Sequence, residues 1–70
     1  MNLRVYIFQR GKTIDFFDVQ HPHLSGPILQ ECETKMAWAI QANKATRGYF
    51  EVQLVNLDNL FVIDSEELLA

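Results

Sequence analysis

His21-Pro22-His23 is the one place where this chain concentrates side chains able to bind a metal or move a proton. Two imidazoles two residues apart are potential ligands, with Asp18, Glu31 or Cys32 to complete a set. A zinc site wants three or four convergent ligands, and the whole chain holds two histidines and one cysteine. The triplet therefore reads as a solvated loop that orders the entry to a helix, and no metal is expected. A reactive Cys32 would want a helix first turn or a cationic neighbour. It is instead flanked by Glu31 and Glu33 within an apolar stripe, the setting of a packed, unreactive thiol. Glu31 and Glu33 point about 200° apart on a helix and cannot act as an acid–base pair. Asp15 and Asp18 fall on opposite strand faces, Ser25 has no nucleophile elbow, and Gly11, Gly26 and Gly48 are isolated, so no loop cradles phosphate. No catalytic residue and no cofactor are expected, and the chain reads as a non-enzyme.

A different residue carries a binding signal. From Pro27 to about Ala45 the sequence reads as one amphipathic helix, with Ile28, Leu29, Cys32, Met36, Ala39, Ile40 and Asn43 within about 120° of arc. Trp38 falls far outside that arc, among Glu31, Thr34, Gln41 and Ala45, with Ala42 at the flank. A tryptophan ringed by small and polar neighbours is either covered by another segment, residues 57–63 being the available one, or presented to a partner. Tryptophan is enriched at interface hot spots, and the alanines would let a partner approach closely.

The elements that must position these residues follow from period and punctuation. Leu3 to Phe8 alternates as a strand, with Leu3, Val5 and Ile7 on one face and Arg4, Tyr6 and Phe8 on the other. Gln9 to Lys12 is a tight turn in which Gly11 takes the left-handed position. Thr13 to Val19 returns, with Thr13, Asp15, Phe17 and Val19 on one side and Ile14, Phe16 and Asp18 on the other. Pro22 ends the strand region, Ser25 or Gly26 caps the helix, and Pro27 suits its first turn. Lys44 and Arg47 suit the helix C-terminal end, which Gly48 can terminate. Tyr49 to Leu54 alternates cleanly, Asn56 to Asn59 is a turn, and Leu60 to Ile63 reads as a short apolar strand. Asp64-Ser65-Glu66-Glu67 resembles a helix start, which only Leu68-Leu69-Ala70 could extend, so a frayed terminal turn is expected. The order is ββαββ: a single α+β domain over residues 1–70, with an antiparallel-rich sheet and one helix across a face.

Composition agrees with one small domain. Half the residues are hydrophobic (49%), enough for a core in a chain that buries roughly 60% of its unfolded surface. A single cysteine permits no internal disulfide, which suits a reducing cytoplasm. The chain reads as a complete short reading frame with no leader and no membrane span. Charge is uneven. Residues 1–47 carry six bases and four acids, whereas residues 48–70 carry Glu51, Asp58, Asp64, Glu66 and Glu67 and no base. An acidic C-terminal third on a mildly basic body suits solubility or docking onto a basic partner.

The hairpin, single helix and Gly48-Tyr49-Phe50-Glu51-Val52 strand resemble the layout of small phage-encoded host-takeover and counter-defence proteins over residues 3–55. The resemblance implies a compact module that binds and inhibits a host protein; it lies in element order and transfers no functional residue. The expected function is a cytoplasmic, non-enzymatic protein-binding module, an inhibitor or modulator of a larger protein. Its candidate surface comprises Trp38, Thr34, Gln41, Ala42 and Ala45 together with Asp58, Asp64, Glu66 and Glu67. Two alternatives stay open. One is a nucleic-acid-binding regulator using Arg10 and Lys12 at the hairpin tip with Tyr6 and Phe8 along the strand. The other is a homo-oligomeric accessory protein, pairing through an edge strand such as Leu60–Ile63 or through the Trp38 face.

Overall fold

The computed structural model describes residues 1–70. Strands β1 (Leu3–Gln9) and β2 (Lys12–Val19) form a hairpin, helix α1 (Gly26–Gln41) follows, and β3 (Tyr49–Asn56) and β4 (Phe61–Leu69) form a second hairpin. The two hairpins join through β1 and β3 in one antiparallel sheet of order β2-β1-β3-β4. The expected ββαββ architecture is the one observed.

Alternation decides which face is buried. Leu3, Val5 and Ile7 of β1 and Phe50, Val52 and Leu54 of β3 point to one side, where Cys32 and Met36 of α1 and Leu24 of the preceding loop complete a core of nine. All six strand residues are buried, because β1 and β3 are the central strands and lie under the helix. The two-residue tip Arg10-Gly11 has positive φ at both positions (53° and 76°), the pattern of the primed hairpin turn that matches strand twist.

Three details depart from the sequence reading, and a fourth decides an alternative it left open. First, a bulge opposite Ile7/Phe8 inserts an extra residue in β2. It turns Ile14 to the core side with Phe17 and Val19 instead of leaving it opposite them. Second, the helix stops at Gln41 rather than near Ala45. Asn43 takes the left-handed conformation (φ 60°) that ends helices, and Lys44 N–H donates back to the Ala39 carbonyl at 2.8 Å. Lys44 and Arg47 thus lie beyond the last turn, and Gly48 instead opens β3. Third, Asp64 to Leu69 is strand, not a helix start. It is pinned at its end by reciprocal Gly48–Ala70 backbone bonds of 2.7 and 2.9 Å, where fraying was expected. Fourth, residues 57–63 form the β3–β4 turn and the start of the outer strand, so they do not wrap over Trp38.

Two side chains tie the connections down. Buried Gln9 donates through Nε2 to the Thr46 carbonyl at 2.6 Å and accepts from Thr46 N–H at 2.9 Å. Its amide stands in for a neighbouring strand and holds the helix-to-β3 segment. Half-buried Asp64 accepts the Leu24 N–H at 3.0 Å, anchoring the β2-to-helix loop against β4. Removing this acceptor leaves a part-buried donor unpaired, so Asp64→Ala should cost about 1–2 kcal/mol. A lower urea midpoint at unchanged m value is the expected readout; an unchanged midpoint would show that water replaces the carboxylate.

Candidate functional site

The helix layer exposes Trp38. Its side chain is 66% exposed, on the helix side facing away from Cys32 and Met36. It stands between two shallow grooves. Pro27, Gln30, Glu31, Thr34 and Lys35 line one, and Ile14, Asp15, Lys35, Ala39, Ala42 and Lys44 line the other. Thr34, Gln41 and Ala42 are exposed as expected. Thr34 Oγ1 donates to the Gln30 carbonyl at 3.2 Å, which satisfies the hydroxyl locally. Ala45 departs from the reading: it lies past the helix end and packs against the core, so it does not flank the indole. The β2-edge residues Ile14 and Asp15 were missed because helical periodicity carries no information about a neighbouring strand. The rim is charged, and one pair on it is matched, with Lys35 Nζ 3.9 Å from Glu31 and 5.5 Å from the Phe17 ring centroid.

The C-terminal acids do not form one surface. Asp58 sits in the β3–β4 turn and accepts from the backbone N–H and Nδ2 of Asn2 at 3.3 and 3.2 Å. Asp64 is engaged with Leu24. Glu66 lies opposite Val52 on the helix side of β4, while Glu67 lies opposite Glu51 on the other face. Strand alternation splits them, a consequence hidden while this segment read as helix.

The outer sheet face, which no element covers, carries Tyr6, Phe8, Phe16 and Tyr49. Tyr6 stacks with Phe8 (ring centroids 6.0 Å apart) and meets Phe16 at 6.0 Å. Arg4 lies over the Phe16 ring at 4.6 Å while its Nε donates to Asp18 at 2.7 Å. That hydrogen bond holds the Asp18 carboxyl below the usual carboxylate range and raises the guanidinium. Arg10 and Lys12 stand at the hairpin tip, exposed. Between the tip and β4, however, the same face presents Glu51 and Glu67. The free edge of β4 is apolar at one end, with Phe61 (70% exposed), Val62 and Ile63 unburied.

The chemistry of the remaining groups is modest. His21 and His23 lie in the exposed loop with ring centroids 6.4 Å apart, and no group of three or more His, Cys, Asp or Glu converges as metal ligands. Cys32 is fully buried, and burial first, then the Glu31 charge, pushes its thiol up to about 11. No helix is long and apolar enough to cross a membrane. The chain matches no protein-family model, no curated protein and no solved structure.

Two measurements follow. Trp38 is the only tryptophan, so native fluorescence should show the red-shifted emission and ready acrylamide quenching of exposed indole, changing little on unfolding. A blue-shifted, protected native spectrum would contradict the geometry. The Cys32 thiol ionises more readily in the unfolded chain than in the fold, so above pH 9 the unfolded state binds fewer protons and stability falls as pH rises towards about 11. The stability advantage of the wild type over Cys32→Ala should therefore be full at pH 8 and shrink by pH 10.5. A constant difference across that range would contradict the assigned environment.

Proposed function

We propose that this chain is a non-enzymatic protein-binding module, an inhibitor or modulator of a larger protein, anchored by Trp38. The exposure of Trp38 carries the reading. A tryptophan on a helix flank gains nothing for the fold by facing solvent, whereas a partner that covers it would bury much of an indole. Its surroundings have the make-up of an interface: an aromatic anchor, the small exposed residue Ala42 allowing close approach, and a charged rim of Asp15, Glu31, Lys35 and Lys44. The element order resembles that of small phage-encoded host-takeover and counter-defence proteins, which makes a host protein the target class. A reducing cytoplasm suits its lone buried thiol.

The alternatives fit the charges less well. Nucleic acid would stack on Tyr6 and Phe8, but Glu51 and Glu67 repel phosphate there, and the Arg4 charge is already matched by Asp18. A second copy paired along the whole of β4 about Ser65 would set Asp64 opposite Glu66, a like-charge contact that opposes the register.

Trp38→Ala tests the proposal. Because the side chain is exposed, the variant should keep its stability within about 0.5 kcal/mol. Its partner, identified by affinity capture with the wild type from the native host, should bind at least about tenfold more weakly, as loss of a hot-spot tryptophan does. A folded variant that captures the same proteins in the same yield would sink the proposal.

A further inference from the structure

On the uncovered sheet face, aromatic rings and carboxylates come together at two places. At the first, the Arg4 guanidinium lies 4.6 Å from the Phe16 ring centroid and is held by the Asp18 carboxylate at 2.7 Å. A planar cation over an aromatic ring and against a carboxylate is a favourable pairing. At the second, towards the other end of β1 and across β3 to β4, rings and carboxylates meet with no ion-paired cation. Phe8 of β1 pairs with Glu51 of β3, Glu51 pairs with Glu67 of β4, and Tyr49 stands at the next position on that face. These residues line one open concavity of about 410 Å³ beside the hairpin tip. Neither glutamate has a cation within ion-pair distance; Arg10 lines the rim but pairs with neither. Two carboxylates directly opposite on one face repel each other, and Gln53 donates to Glu51 alone. An incoming positive charge would relieve that repulsion.

We infer that this concavity binds an arginine side chain presented by an extended segment of another protein, with Phe8 and Tyr49 as the aromatic walls and Glu51 and Glu67 as the carboxylate clamp. Arginine fits better than lysine because its flat guanidinium can stack while donating to two carboxylates at once; Arg4 already combines one ring with one carboxylate. The inference does not rest on Trp38, which belongs to the helix layer, so either surface can fail without the other.

The test uses the full chain and two five-residue peptides, threonine alternating with arginine and threonine alternating with lysine. Titration followed by amide chemical shifts should perturb residues of β1, β3 and β4 around Phe8, Glu51 and Glu67. The arginine peptide should bind at least about threefold more tightly than its lysine twin. Glu51→Gln and Glu67→Gln, both at exposed positions, should keep the fold and together weaken binding about tenfold. Four results would overturn the inference. They are equal affinity for the lysine peptide, binding unaffected by the double variant, tighter binding of a single-stranded oligothymidine on the same residues, and self-association of the free chain that Glu51→Gln abolishes.

Discussion

The seating of one helix on the central strand pair governs everything else in this molecule. Leu3, Val5, Ile7, Val52 and Leu54 are buried because Cys32 and Met36 lie over them, and these contacts form the only core there is. A helix is about 10 Å across, whereas four strands about 4.8 Å apart present a surface nearly twice as wide. One helix therefore cannot cover the sheet even on its own side. Phe61 at the β4 edge, opposite Asn56 on the helix side, stays exposed, and the opposite sheet face has no cover at all. The shortest dimension of the molecule, 17 Å, is that of one sheet and one helix layer. The exposed surfaces are the unavoidable remainder of a seventy-residue solution, and selection could act on them.

How much of this was legible follows from which signals are local. Strands β1 and β3 could be read from alternation because they are central and buried on one face, so every second residue is apolar. The helix could be read from Pro27 and the Ile28–Ile40 stripe. Two of the failures are non-local and one is local. Ile14 changes side through a bulge that only its pairing with β1 reveals. Asn43 fitted the apolar arc of the wheel, yet its own tolerance of positive φ makes it a stop. Asp64-Ser65-Glu66-Glu67 has the composition of a helix start, but with Phe61–Ile63 it completes a hairpin on β3, and ladder pairing overrides weak local preference.

The same distinction separates the two candidate surfaces. Trp38 was visible from helical geometry alone, since its angle from the stripe does not depend on the rest of the fold. Its strand neighbours Ile14 and Asp15 were not visible, nor was the loss of Ala45 to the core. The acidic clamp required the β3–β4 register. Glu51 and Glu67 lie sixteen residues apart in sequence and meet only because the tail is strand. The acidic C-terminal third, a compositional fact, divided once alternation was applied: Glu51 and Glu67 share the outer face, while Asp58, Asp64 and Glu66 lie elsewhere.

Several positions in this chain are harder to explain by folding than by recognition. Trp38 faces water, Glu51 faces Glu67, and Leu60, a bulky exposed residue, holds a left-handed backbone angle (φ 63°). Each costs the fold something, from a few tenths of a kcal/mol for the opposed carboxylates to about 1 kcal/mol for the leucine. A domain this small has only a few kcal/mol in total to set against such costs. The first two also lie where the helix and sheet leave surface uncovered, and they bear the chemistry a partner would need: an indole on one layer, a carboxylate pair beside aromatic rings on the other. Buried Cys32 and the satisfied amide of Gln9 show that the interior is otherwise consistent, with no buried side-chain polar atom left unpaired. The unfavourable features therefore concentrate on the surface, where a rule of local consistency is broken without disturbing the core, rather than spread through the structure.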